Sequence, residues 1–203
     1  AEKQNEEIAI KALKDSQTDK NGKLVVLYAS NKETQHAYIE AAKTKGYQVL
    51  LLDSPIVSHV IQKLEQDNEN ITFTRVDSDH IEKLIQKDEE QISKLSDEEK
   101  EQLKNAIETF VPKENYTVQV EAMDSNAAPF IITQPEFMRR MKEMSQTGGG
   151  GMFGMGNFPD MYNLVVNTNS DLAGTILNAD ENTKESLVKQ ALDLAKISQG
   201  LLK

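Results

Sequence analysis

The sequence predicts a small three-layer α/β unit built on a parallel sheet, followed by a mixed α+β unit with a short sheet and long helices. Three observations predict it. Apolar runs at 23–28 (KLVVLY), 47–52 (YQVLLL) and 71–76 (ITFTRV) alternate with helical patterns, the signature of right-handed βαβ units and a parallel sheet. Composition then shifts over 81–109, where Asp88-Glu89-Glu90 and Asp97-Glu98-Glu99 replace apolar strands. Beyond that shift, three strand patterns are mixed with helices, the last of them long. The shift places a domain boundary near Lys87, with domains at 1–87 and 88–203.

Each element has a local reason. Residues 2–15 read as an acidic amphipathic helix with Ile8, Ala9, Ala12 and Leu13 on one face. Asn21-Gly22 closes a turn, since glycine reaches positive φ without steric cost. KLVVLY is a continuous apolar run bounded by turns, as in a strand buried on both faces, and YQVLLL reads the same way. Between them, Asn31 is placed to cap a helix through Lys43 with Tyr38, Ile39 and Ala42 inward, ended by Lys45-Gly46. Pro55 suits the first turn of a helix carrying Ile56, Val60, Ile61 and Leu64. ITFTRV alternates and lies nearer an edge. Ser96-x-x-Glu99 is a capping box for a helix with Leu103, Ile107 and Phe110. Strands follow at 116–120 (YTVQV), 129–133 (PFIIT, with Pro129 compatible with an edge) and 162–166 (YNLVV). A short helix spans about 171–177. A long one begins near Asn182 and ends at Gly200.

Composition excludes several functions. The net charge of -10 opposes nucleic-acid binding, and no basic run or basic amphipathic helix suggests a membrane surface. Without cysteine there is no disulfide, thiolate metal site or cysteine nucleophile. No apolar run is long enough to span a membrane, and no signal-peptide pattern opens the sequence. The start at Ala1, already helical in pattern, reads as a fragment.

Chemistry is sparse. The strand ends Ala29-Ser30-Asn31 and Asp53-Ser54-Pro55 lack phosphate-cradling glycines, and G-x-x-x-x-G-K-[ST] and G-x-S-x-G are both absent. Asp53 could serve as a base or Mg²⁺ ligand, but a helix cap is the commoner use of such a residue. His36, His59 and His80 have no metal-ligand spacing and read as surface or half-buried helical residues. The acidic clusters read as solvated helix faces.

One stretch stands out. Residues 137–162 (FMRRMKEMSQTGGGGMFGMGNFPDMY) hold six of the chain's seven methionines. Phe137, Met138, Met141 and Met144 share one helical face, with Arg139, Arg140, Lys142 and Glu143 on the other. A Gly/Met strap at 147–157, with Met152 and Phe153, follows. Methionine re-packs against irregular partners and is common on surfaces that bind many of them. The competing reading is a methionine-rich core helix with a loop.

The ordered set of parts resembles the C-terminal half of the heat shock protein 90 chaperones, bacterial HtpG type, from about residue 20 onward. The KLVVLY strand, Gly46-Tyr47-Gln48-Val49-Leu50 and Asp53-x-Pro55-Ile56 are similar to the last α/β piece of the family's middle domain. PFIIT leading into Met138-Arg139-Arg140-Met141-Lys142, the strand ending Leu164-Val165-Val166-Asn167-Thr168-Asn169, and the helix over 187–202 are similar to its C-terminal dimerisation domain. The family's tryptophan before the Arg-x-Met-Lys helix is missing here. The resemblance implies an ATP-driven cytoplasmic chaperone in the full-length protein, with ATP and Mg²⁺ bound and catalysis performed by segments outside this sequence, and no cofactor here. It implies non-native client proteins as partners, with client contacts at Phe137, Met138, Met141, Met144, Met152 and Phe153. It implies a homodimer whose interface uses Leu187, Val188, Ala191, Leu194 and Ala195. Family members carry one further helix beyond the point where this sequence stops, so association of this chain is expected to be weak or absent. Two other readings stay open: a metabolite-binding α/β enzyme domain using Asn31 and Asp53, fused to an oligomerisation module, and a purely structural dimerisation module with core methionines.

Overall fold

A computed structural model describes residues 11, 13–54, 56–85, 87, 91–147 and 161–201; at 144–147 it describes the helical backbone alone. The expected helix over 2–15 and the Gly/Met strap, with Met152 and Phe153, therefore lie largely or wholly outside the described residues, as does Pro55. The chain divides into two compact units, one formed by 1–88 with 136–158 and the other by 89–135 with 159–203.

The first unit is built on a three-stranded parallel sheet. Its strands are β1 (Leu24–Ala29), β2 (Val49–Leu51) and β3 (Ile71–Arg75), in the order β2-β1-β3. Helices α1 (His36–Thr44), α2 (Val57–Asp67) and the short α3 (Ile81–Leu84) connect or follow these strands. β1 is central, so its run from Val25 to Ala29 is buried throughout, as a strand between two neighbours requires. β2 corrects the expectation of a buried second strand. It is an edge strand of three residues, and Leu50 and Leu51 are exposed. An apolar run cannot distinguish an edge from a centre.

Two helix starts also differ from expectation. Asn31 caps a turn, its Oδ1 accepting from Glu33 N and Thr34 N at 2.9 Å, but α1 begins only at His36. The delay follows from Gln35, which is buried with its side-chain Oε1 accepting from Ser30 N (2.8 Å) and Asn31 N (3.0 Å). Asp53 does not cap α2. The preceding residue is Ile56, with no side-chain cap, and Asp53 is exposed. Tyr38, Ile39 and Ala42 face inward on α1 as expected. On α2, by contrast, Ile61 is buried while Ile56, Val60 and Leu64 are exposed. Gly46 ends α1 at φ +78, and Tyr47 N reaches back to Ala42 O at 3.0 Å, a closure that glycine permits cheaply. The helix Glu136–Thr147, α5 in chain order, also belongs to this unit.

The second unit pairs β4 (Tyr116–Glu121) parallel and β5 (Phe130–Thr133) antiparallel to a central β6 (Tyr162–Asn167). Helices α4 (Asp97–Phe110), α6 (Asp171–Asn178) and α7 (Glu181–Ser198) pack with this sheet around a core that includes Leu103, Ile107, Phe130, Leu164, Ile176 and Val188. Each helix starts with a side-chain cap. Ser96 and Glu99 form the full capping box, Ser170 accepts from Ala173 N, and Asp180 accepts from Thr183 N. The observed architecture is thus α/β followed by α+β, the predicted class.

Candidate functional site

α5 is the helix in which the sequence concentrates its methionines. Its charged face is the one that packs against the first unit. Glu136, Arg139, Arg140 and Glu143 pair at i,i+3 and i,i+4 along it, the spacing that brings side chains together on a helix. These groups then reach out to the sheet and to α2.

Arg139 is 4% exposed. It donates to Tyr28 Oη (2.6 Å), to Glu143 Oε2 (2.6 Å) and to Glu136, and its guanidinium lies 5.8 Å from the Tyr28 ring centroid. Arg140 donates to Glu65 Oε2 of α2 (2.7 Å), to Glu136 Oε1 (2.6 Å) and to the carbonyl of Phe73 in β3 (2.6 Å). Glu143 accepts from Ser58 of α2 and from Arg75 Nη1 (3.4 Å). Arg75, at the end of β3, is clamped from its other side by both oxygens of Asp77, at 2.6 and 2.8 Å.

The electrostatics follow from this packing. Burial, and next the Glu136 carboxylate, push the Tyr28 phenol up to about 12, although three nearby arginines pull the other way. Burial opposes the charge on Arg139 and Arg140, but their acidic partners outweigh it and both are held more basic than usual. Burial likewise opposes ionisation of Glu143, yet hydrogen bonds from Ser58 and Arg139 hold its carboxyl below the usual range. Arg139, Arg140 and Glu143 are therefore held in their charged forms, each with a hydrogen-bonded partner. Removing one member of such a cluster leaves the others buried without compensation.

With the charged face engaged, the apolar face points outward. Phe137 is 71% exposed, Met138 40% and Met141 41%. The Met144 side chain lies outside the described residues. Three apolar side chains on one helix face are thus left partly or largely exposed. Tyr28, Glu65, Arg75 and Asp77, the socket for this helix, carry no local signal in the sequence beyond an arginine ending an otherwise apolar strand.

On α7, Val188, Ala191 and Ala195 belong to the unit's own core and Leu187 packs partly against it. Leu194 (66%) and Ile197 (60%) are exposed. At the end of β6, Asn167 and Asn169 are buried hubs. Asn169 donates to Ile92 O (3.0 Å) and Met123 O (2.9 Å) and accepts from Lys94 N (2.8 Å), and Asn167 accepts from Met123 N and donates to Asp124 O.

The enzyme-like positions Asn31 and Asp53 follow the carboxyl ends of the neighbouring strands β1 and β2. Asn31 is engaged in its own turn and Asp53 is exposed. His36 and His59 are exposed, whereas His80 is buried, a correction to the surface or half-buried placement expected for all three. Among the described residues no group of three or more His, Asp or Glu could hold a metal ion. The acids around α5 are matched to arginines. These residues do not fit a nucleotide with its Mg²⁺. No described helix is long and apolar enough to cross a membrane.

Comparison with known proteins gives consistent relatives. The chain is 44% identical over 172 residues to the chaperone protein HtpG of Bacteroides thetaiotaomicron and 45% identical over 172 residues to that of Bacteroides fragilis. It is 40% identical over 185 residues to the HtpG of Porphyromonas gingivalis. The alignments cover 83% of this chain for the Bacteroides proteins and 89% for that of Porphyromonas. The chain spans about a quarter of the length of these relatives, 25% and 27% respectively. No family model matches it.

Proposed function

Because the chain belongs to the HtpG, or heat shock protein 90, chaperone family, we propose that it is the client-contacting and dimerising portion of an ATP-dependent cytoplasmic chaperone. In this reading residues 1–87 correspond to the end of the family's middle domain, and residues 88–203, α5 included, to its C-terminal dimerisation domain. ATP binding and hydrolysis belong to segments outside this chain, which itself is not catalytic.

The observation that carries the reading is the orientation of α5. A buried ionic contact holds its polar face, and Phe137 stays largely open to solvent, with Met138 and Met141 partly so. Non-native polypeptides expose apolar segments of varied shape. Soft methionine side chains accommodate them, and covering apolar surface supplies roughly 25 cal/mol per Å² before ordering costs. Met144, Met152 and Phe153, whose side chains lie outside the described residues, are proposed as further client contacts. For the dimer, Leu194 and Ile197 of α7 are the residues offered to a second copy, with Leu187 at the margin. Val188, Ala191 and Ala195 support them from the core.

Light scattering of an aggregating, chemically denatured protein tests the client surface. Wild-type chain is expected to suppress the scattering, and Phe137→Ser/Met138→Ser/Met141→Ser to lose most of that suppression while keeping its fold. Full suppression by the triple variant would refute the assignment.

A further inference from the structure

The free edge of β3 is closed by a pair of side chains standing where a fourth strand would lie. Leu24 N donates to Asn70 O and Val76 N to Tyr28 O, so the even-numbered residues of β3 and its flanks turn their backbone groups toward β1. Phe73 and Arg75 therefore turn theirs outward. Glu65 Oε1 accepts from Phe73 N at 2.7 Å, and Arg140 Nη2 donates to Phe73 O at 2.6 Å. Glu136 accepts from Arg75 N at 3.4 Å. Glu65 and Arg140 are themselves paired at 2.7 Å. Together they offer one acceptor and one donor to a single residue, which is what the facing residue of a neighbouring strand would offer.

This closure differs from that at the other sheet's edge. There, Ile132 N is held by Gln199, which is 6% exposed and fixed in place. The Glu65 and Arg140 side chains are 23% and 20% exposed. They border an open groove of about 770 Å³ along β3, with Ile71, Phe73 and the exposed Phe137 among its walls.

We infer that the β3 edge is a second client site: an extended apolar segment of a non-native polypeptide displaces the Glu65–Arg140 pair and adds to β3 as a fourth strand. The segment takes the Phe73 N–H and C=O that the pair held, and its alternate side chains lie against Ile71, Phe73 and Phe137. An extended chain with unpaired backbone groups is the occupant that matches both features of the groove, the donor–acceptor pair and the apolar walls. The inference rests on the client-binding reading above and gives it a main-chain component.

The test uses a ten-residue peptide of alternating valine and threonine flanked by lysines, and a counterpart N-methylated at every central residue so that neither edge can pair. Anisotropy measures affinity, and hydrogen exchange reports on the Phe73 amide. Glu65→Ala/Arg140→Ala is expected to bind the peptide about tenfold more tightly than wild type, the counterpart to bind neither, and the bound peptide to slow exchange at Phe73. If the double variant fails to fold, wild type decides alone: the peptide should protect Phe73 from exchange and the N-methylated counterpart should not. Equal binding of the counterpart, or bound peptide with no protection at Phe73, overturns the inference. Met138→Ser/Met141→Ser separates it from the helix-face reading, because peptide binding and Phe73 protection should survive that change. Their loss there would also overturn it.

Discussion

Arg139→Ala is the perturbation that bears most heavily on how α5 is held. The side chain is nearly fully buried and makes three charge-assisted contacts, to Tyr28, Glu136 and Glu143. Breaking a buried ionic contact from one side costs about 3–5 kcal/mol, because the partners stay buried and uncompensated. Arg75 and Arg140 remain beside Glu143 and Glu136 and soften the loss, which favours the lower end. The apolar face sets the comparison. Phe137 is 71% exposed, so under a third of its roughly 200 Å² is covered, and truncation should cost about 1.5 kcal/mol or less. Urea unfolding should therefore lose about 3 kcal/mol with Arg139→Ala and at most half of that with Phe137→Ser. Arg139→Lys should recover only part, since an ammonium cannot reproduce the planar fork. A loss below 1 kcal/mol for Arg139→Ala, or a larger loss for Phe137→Ser, would refute the claim that the charged face is the docked one.

Three further outcomes follow from the same contacts. The Glu143 carboxyl is held below its ordinary value of 4.5, so its stabilisation is complete above about pH 4.5 and is lost as pH falls through the lower folded value; Glu143→Gln should flatten that acid dependence in urea midpoints. The Tyr28 phenol is pushed up to about 12, so the stability it contributes is complete below its ordinary value of 10 and falls between 10 and 12. An absorbance titration at alkaline pH should show a late-ionising tyrosine that Tyr28→Phe removes. In the second unit, Asn169→Ala strips hydrogen bonds from Ile92 O, Met123 O and Lys94 N, and should cost about 2–4 kcal/mol in thermal or urea unfolding. A change under 0.5 kcal/mol would remove Asn169 from its role as a hub.

Much of the fold was legible because its signals are local. The KLVVLY run marks the central strand, Ser96-x-x-Glu99 marks a helix start, and Gly46 and Gly200 mark two helix ends, both with positive φ. Where local signals mislead, a distant partner decides. YQVLLL reads as buried, yet its place at the sheet edge is set by the strand order. Asn31 reads as a helix cap, but Gln35 holds the intervening turn. The two faces of α5 are plain in the sequence, but periodicity cannot say which face docks, and the general rule that apolar faces turn inward points the wrong way. The answer lies in Tyr28, Glu65 and Arg75, 61 to 111 residues away from their partners on α5. None of those three residues stands out in isolation.

Oxidation footprinting of the methionines tests the central claim most directly. Met123 is fully buried and serves as an internal standard, against Met138 at 40% and Met141 at 41% exposure. Met138 and Met141 are expected to oxidise well ahead of Met123, and to slow when a denatured client protein is added. Oxidation of both as slow as that of Met123 would place them in a core, and rapid oxidation unaffected by client would leave an open face that receives nothing.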